Sequence, residues 1–176
     1  MMKKLLMVID YQNDFVCGAL GFAQAKKLEA PIGARIEAYR REGQDVLFTF
    51  DTHGGDYLET QEGKKLPLPH CIVDTAGWQL YGKIRSLYQD DMPVFYKPTF
   101  GSLALGNYLK DKAYDQIELV GVVTNMCVIA NAVIAKAALP EAEIIINTAC
   151  VASSDEALHQ KALEVMAGMQ MTLKAI

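Results

Sequence analysis

Three side chains with complementary chemistry lie far apart in this chain: the carboxylate of Asp10, the amine of Lys97 and the thiol of Cys127. Each sits at or just past the end of an apolar run, at residues 5–9, 94–97 and 117–123. A thiol with a carboxylate to take its proton and an ammonium to balance its charge is a nucleophile fit to attack a carbonyl. Pro98 keeps Lys97 extended and directed. Asp51 and His53 follow another run, residues 45–50, and their spacing points both to one side of an extended chain. His70 can return to them on a loop, and carboxylate with imidazole suits Zn²⁺, Fe²⁺ or Mn²⁺.

The segment around the thiol supports its role. Thr124 and Asn125 are favourable helix caps, and an Ala-rich stretch runs to Leu139 before Pro140 stops it. Cys127 is therefore expected in a first helical turn, where free N–H groups and the positive dipole end favour a thiolate.

The elements that must carry these residues alternate along the chain. Strands are expected at 5–9, 45–50, 94–97, 117–123, 143–147 and 171–175, with helices at 26–42, 78–89, 102–112, 124–139 and about 154–167. Continuously apolar strands alternating with helices imply a parallel sheet covered on both faces, with ligands bound beyond the C-terminal strand ends. Asp10, Asp51, His53, Lys97 and Cys127 all fall at that edge. Residues 51–77 break the rhythm and read as a long functional loop.

The bulk composition narrows the class. A chain of 176 residues with 51% hydrophobic content suits one domain, residues 1–176. A net charge of −4 leaves no basic footprint for nucleic acid, and no apolar run reaches the ~20 residues of a membrane span. The first ten residues imitate a signal peptide, but their apolar stretch is short and ends in Asp10, so a first strand and a cytoplasmic location are expected. The four cysteines show no CxxC pairing and read as reduced thiols, with Cys17, Cys71 and Cys150 as small core residues.

Residues 8–15 (VIDYQNDF), 97–102 (KPTFGS) and 121–128 (GVVTNMCV) together resemble the three motifs of the isochorismatase-like cysteine hydrolases. Asp51-Thr52-His53 with His70 further resembles the metal loop of the nicotinamidase branch. The resemblance implies a three-layer α/β/α sandwich with a six-stranded, mainly parallel sheet in the order 3-2-1-4-5-6. It makes Cys127 the nucleophile, Asp10 the general acid and base, and Lys97 the third member of the triad. A cis peptide between Val122 and Val123 is implied, presenting the Val123 and Cys127 N–H groups as an oxyanion hole.

The implied metal ligands are Asp51, His53, His70 and Glu62, with Glu59 and Asp56 as other acidic candidates and zinc as the first choice of ion. Phe15, Tyr57, Leu66, Phe100 and Trp78 are the expected pocket walls. Many relatives carry a tryptophan just before the loop histidine, where this chain reads Leu66-Pro67-Leu68-Pro69. The implied reaction is hydrolysis of a small carboxamide, nicotinamide to nicotinate and ammonia, by a homo-oligomer. Two other readings remain: a metal-free relative acting on another small amide or a vinyl ether, and an interaction protein that keeps only the fold.

Overall fold

The apolar runs become the strands β1 (Lys4–Ile9), β2 (Asp45–Asp51), β3 (Val94–Lys97), β4 (Gln116–Val122), β5 (Glu143–Ala152) and β6 (Thr172–Lys174). They form one sheet in the order 3-2-1-4-5-6, and all five pairings are parallel. The structure, a computed structural model, describes residues 2–176. Alternate residues of each strand face opposite sides, and both sides are buried. Leu6, Val8 and Phe48 pack under the helices α2 (Ala23–Lys27), α3 (Glu29–Arg41) and α5 (Gly82–Leu87). Met7, Ile9 and Leu119 pack under α6 (Leu103–Lys110), α7 (Ile129–Ala138) and α8 (Glu156–Gly168). Among the described residues, no helix is long and apolar enough to cross a membrane.

The strand order carries the chemistry. β1, β2 and β4 lie side by side, with Ile9 level with Thr49 on one side and Gly121 on the other. Gly121 has φ of +115°, and a Cβ there would collide with the backbone of Ile9. Only glycine lets the strand before Cys127 lie this close to the strand before Asp10.

Several expected elements are corrected. The helix read over 26–42 is two helices, α2 and α3, meeting at Leu28, because Pro31 cannot donate to a carbonyl of the preceding turn. The helix read over 78–89 is only α5. Residues 76–79 turn, and the two residues just before α5 are extended, with Tyr81 N–H donating to the Tyr11 carbonyl and Leu80 bridged to Gln12. β5 continues past residue 147 because a bulge opposite Leu119 and Gly121 lets it resume pairing. Its polar Asn147 is satisfied inside, donating to Glu118 at 2.8 Å. Arg35 and Tyr39 bind the same buried carboxylate, so a charge in the core is fully paired.

The 51–77 loop is not structureless. It holds a 3₁₀ turn, Tyr57–Glu59, and the short helix α4 (Gln61–Lys65), capped by Thr60 Oγ1, which accepts from Gly63 N–H. Another short helix, α1 (Asn13–Val16), follows β1 and was not expected. Cys17 just beyond it is exposed rather than core, because the chain leaves α1 in a surface turn; Cys71 and Cys150 are buried.

Candidate active site

At the C-terminal edge of the sheet, the Lys97 ammonium joins the two other groups. Its Nζ lies 2.5 Å from Asp10 Oδ2 and 3.5 Å from Cys127 Sγ. It also donates to the Thr99 carbonyl at 3.2 Å and to Asp51 Oδ1 at 3.3 Å. All three side chains are buried. Asp10 occupies φ of +46°, at the turn where β1 gives way to the Gln12 bridge.

Cys127 does not sit in an ordinary first helical turn. Thr124–Val128 forms a π-type turn ahead of α7, with Val128 N–H donating to the Val123 carbonyl. Thr124 and Asn125 are therefore not caps, which corrects the sequence reading: their side chains bond instead to His159 and Ser153 at the start of α8. The Val122–Val123 peptide is cis.

The protonation state also differs from expectation. Burial first, then the charge of Asp10, push the Cys127 thiol well above its ordinary value, and Lys97 only partly opposes them. The resting group is a thiol, not the thiolate that the helix terminus alone suggested. Burial likewise raises Asp10 despite the pull of Lys97. Lys97 itself is held firmly protonated: burial works against its charge, but Asp10, Cys127 and Asp51 together prevail. A carboxylate raised in this way is the stronger base toward a neighbouring thiol.

Beside the triad, Asp51, His53, Glu62 and His70 converge, their donor atoms all within 4.8 Å of one another. Asp51 Oδ2 is 3.0 Å from His53 Nε2 and 3.3 Å from His70 Nε2, while Glu62 Oε1 lies 3.8 Å and 3.6 Å from those nitrogens. A tetrahedral ion with bonds of about 2.0–2.2 Å needs donor–donor edges of roughly 3.3–3.6 Å, so the group fits one. His70 Nδ1 meets the Leu68 carbonyl at 2.9 Å, which turns its Nε2 lone pair toward the group. Phe15 and Tyr57 pack edge-on against these imidazoles. For Asp51, burial is outweighed by hydrogen bonds from both histidines and the charge of Lys97, so its carboxyl is held far below the usual range. Glu59 and Asp56 are not in the cluster.

A cavity of about 390 Å³, lined by Glu62, Leu66, Thr99, Phe100 and Met126, opens between Glu62 of this cluster and the segment before Cys127. Leu66 and Phe100 are thus on its wall, and Phe15 and Tyr57 lie behind the histidines. Trp78 is elsewhere. It stacks on Tyr96 with ring centroids 5.6 Å apart, donates to Thr52 Oγ1, and lines a separate cavity with Phe50 and Tyr88. Turns over residues 76–79, in place of the expected helix, lead into the Leu80 bridge, and Trp78 packs beside Tyr96 of β3 at the sheet edge.

Several supporting residues escaped the sequence reading. Thr49 Oγ1 donates to Asp10 Oδ1 at 2.6 Å. Gln12 ties β2 to the chain before α5, accepting from Asp51 N–H and donating to the Asp51 and Trp78 carbonyls. Asn131 donates to the Cys127 and Phe100 carbonyls, joining the turn that carries Cys127 to the loop after Lys97. Asp14 accepts from Cys71 N–H at 2.7 Å and anchors the 51–77 loop.

Comparison with known proteins places this geometry. Residues 4–175 match the isochorismatase domain. The chain is 31% identical over 177 residues to an uncharacterized isochorismatase family protein of Bacillus subtilis (strain 168), covering 92% of this chain and 93% of that one. The crystal structure of nicotinamidase/pyrazinamidase from Bacillus subtilis superposes with a TM-score of 0.88 at 29% identity, covering 98% of this chain and 100% of the other. Pyrazinamidase/nicotinamidase from Streptococcus mutans UA159 gives 0.83 at 29% identity, covering 97% and 99%.

Proposed function

Since the chain belongs to the isochorismatase family, we propose that it is a cysteine amidohydrolase that cleaves a small carboxamide, nicotinamide first among them, through a thioester. The observation that carries this reading is the meeting of Asp10, Lys97 and Cys127 around one ammonium, with Nζ 2.5 Å from the carboxylate and 3.5 Å from the sulfur. Cys127 Sγ adds to the amide carbonyl while its proton passes to Asp10, so no free thiolate need accumulate. Asp10 returns that proton to the nitrogen as the C–N bond breaks, releasing ammonia and leaving the acyl group on sulfur. Water then attacks the thioester and gives its proton to Asp10. The C–S bond breaks, and Asp10 reprotonates the sulfur. Lys97 stays charged throughout and steadies the carboxylate. The Val123 and Cys127 N–H groups are the proposed donors to the oxyanion.

Asp51, His53, Glu62 and His70 would hold a divalent ion, zinc first, and the ion would supply a Lewis-acidic position for a ring nitrogen. Phe15, Leu66 and Phe100 would wall the ring. The same reading makes the protein a cytoplasmic homo-oligomer.

Ammonia release from a panel of nicotinamide, pyrazinamide, benzamide and an aliphatic amide tests the reaction. Nicotinamide is expected to outrun benzamide, which has the same shape without the ring nitrogen. Release from none of them, or fastest from the aliphatic amide, rejects the reading. The base must be ionised to act, so kcat/KM is expected to fall toward acid, with the midpoint above the ordinary aspartate range that Asp10 has left through burial.

Metal removal makes an independent prediction. Chelation and dialysis are expected to lower the melting temperature, and Zn²⁺ to restore it. An ion at about 100 times its Kd contributes about 2.7 kcal/mol, or roughly 5–10 °C for a chain of this size. Glu62→Gln should shrink that shift. A melt unmoved by chelation and by added zinc favours the metal-free relative acting on another amide.

A further inference from the structure

The two oxygens of Asp10 are in different surroundings. Oδ1 accepts a 2.6 Å hydrogen bond from the Thr49 hydroxyl, and Thr49 Oγ1 in turn receives the Asp10 N–H at 3.3 Å. Oδ2 is buried with no hydrogen bond of good geometry and lies against the Lys97 ammonium. Thr49 is itself fully buried, and its place level with Ile9 in the β1–β2 ladder holds the hydroxyl against the carboxylate. A hydroxyl buried in a sheet interior needs a partner, and here the partner is the group that must move protons.

We propose that Thr49 is a positioning residue for the proton-transferring carboxylate: its hydroxyl occupies Asp10 Oδ1 and leaves Oδ2 as the oxygen that takes and returns the proton. This rests on Asp10 being the acid and base of the reaction proposed above. The physical reason is the contrast between the two oxygens. Protonating Oδ1 breaks a short charge-assisted bond, whereas Oδ2 has no hydrogen bond of good geometry to lose. A carboxylate free to rotate would divide the proton between its two oxygens.

The charged and titratable groups facing Asp10 are Lys97 from β3, Asp51 from β2 and Cys127 from the turn after β4. Thr49 contributes no charge. Removing its hydroxyl therefore acts on the orientation and on the ionised form of Asp10 alone.

Thr49→Val keeps the shape and removes the donor, and Thr49→Ser keeps the donor and removes a methyl. Kinetics of ammonia release from nicotinamide by both variants and wild type, across pH, test the inference. Thr49→Val is expected to lose about tenfold to hundredfold in kcat with KM within about twofold, the range for a lost hydrogen bond to a charged group. Its acidic limb should move to higher pH, because the lost bond favoured the ionised carboxylate. Thr49→Ser should stay within about threefold of wild type. If the valine variant fails to fold, Thr49→Ala against Thr49→Ser reports the hydroxyl in its place. A Thr49→Val enzyme with wild-type kcat and an unmoved acidic limb overturns the inference. So does a serine variant as slow as the valine one, since the methyl packing would then be what matters. A wild type inert on every amide instead overturns the reaction, and this assignment with it.

Discussion

Cys127→Ala is expected to lower ammonia release from nicotinamide by about 10⁴-fold or more, because no other group can form the acyl intermediate. Asp10→Asn should cost nearly as much: the amide has the same shape but cannot take the thiol proton. The double variant should be little worse than either single one, because a nucleophile and its base act as one unit. This last expectation is the sharper, since two independent contributors would multiply. Steady-state kinetics on the three purified variants decides it, with a thermal melt of each to show that it is folded. Retention of more than about 1% of activity by Cys127→Ala would remove the thioester from the mechanism.

Lys97→Met should damage both activity and the fold. The ammonium is buried and balances Asp10 and Asp51 directly. Deleting one member of a buried ion pair typically costs about 3–5 kcal/mol, because the carboxylates it leaves are out of water without a counter-charge. Methionine fills much the same space, so the loss would report charge rather than packing. The sign of the pH dependence follows. Asp10 is already raised by burial and rises further without Lys97. A group whose folded pKa lies above its unfolded one loses stability as pH rises through the folded value, so the deficit of Lys97→Met should shrink as pH falls. Urea unfolding of wild type and variant at pH 7.5 and pH 5 measures this. A variant within 1 kcal/mol of wild type at both pH values, on the order of surface-charge effects, would mean that Lys97 is not the counter-ion described here.

Much of this site is legible in the sequence for a simple reason. Strands that are buried on both faces must be apolar throughout, so the polar residue that ends each run marks the sheet edge where ligands bind. Asp10, Asp51 and Lys97 are found in that way, Cys127 lies a few residues past the end of its run, and His53 follows from its spacing to Asp51. Other features were present in the sequence but are harder to weigh. Pro31 announces the break between α2 and α3, and Thr60 followed by Gln61 and Glu62 announces a capped turn inside the long loop.

What escapes the sequence depends on neighbours brought together by the fold. Thr49 looks like any β-branched strand residue until β2 lies level with β1, 39 positions away. Trp78 has the chemistry of a pocket wall, yet it sits in a turn before α5 and lines a different cavity. The protonation of Cys127 is the clearest case. Helix position and a nearby lysine argue for a thiolate, but the depth of burial and the distance to Asp10 decide for the thiol.

The sequence by itself thus determined which groups stand at the reactive edge, because hydrophobic periodicity sets where strands end. Only the tertiary structure decided how those groups share protons. Desolvation and Coulomb interaction depend on distances across strands and on the exclusion of water, and neither is written in the order of the residues.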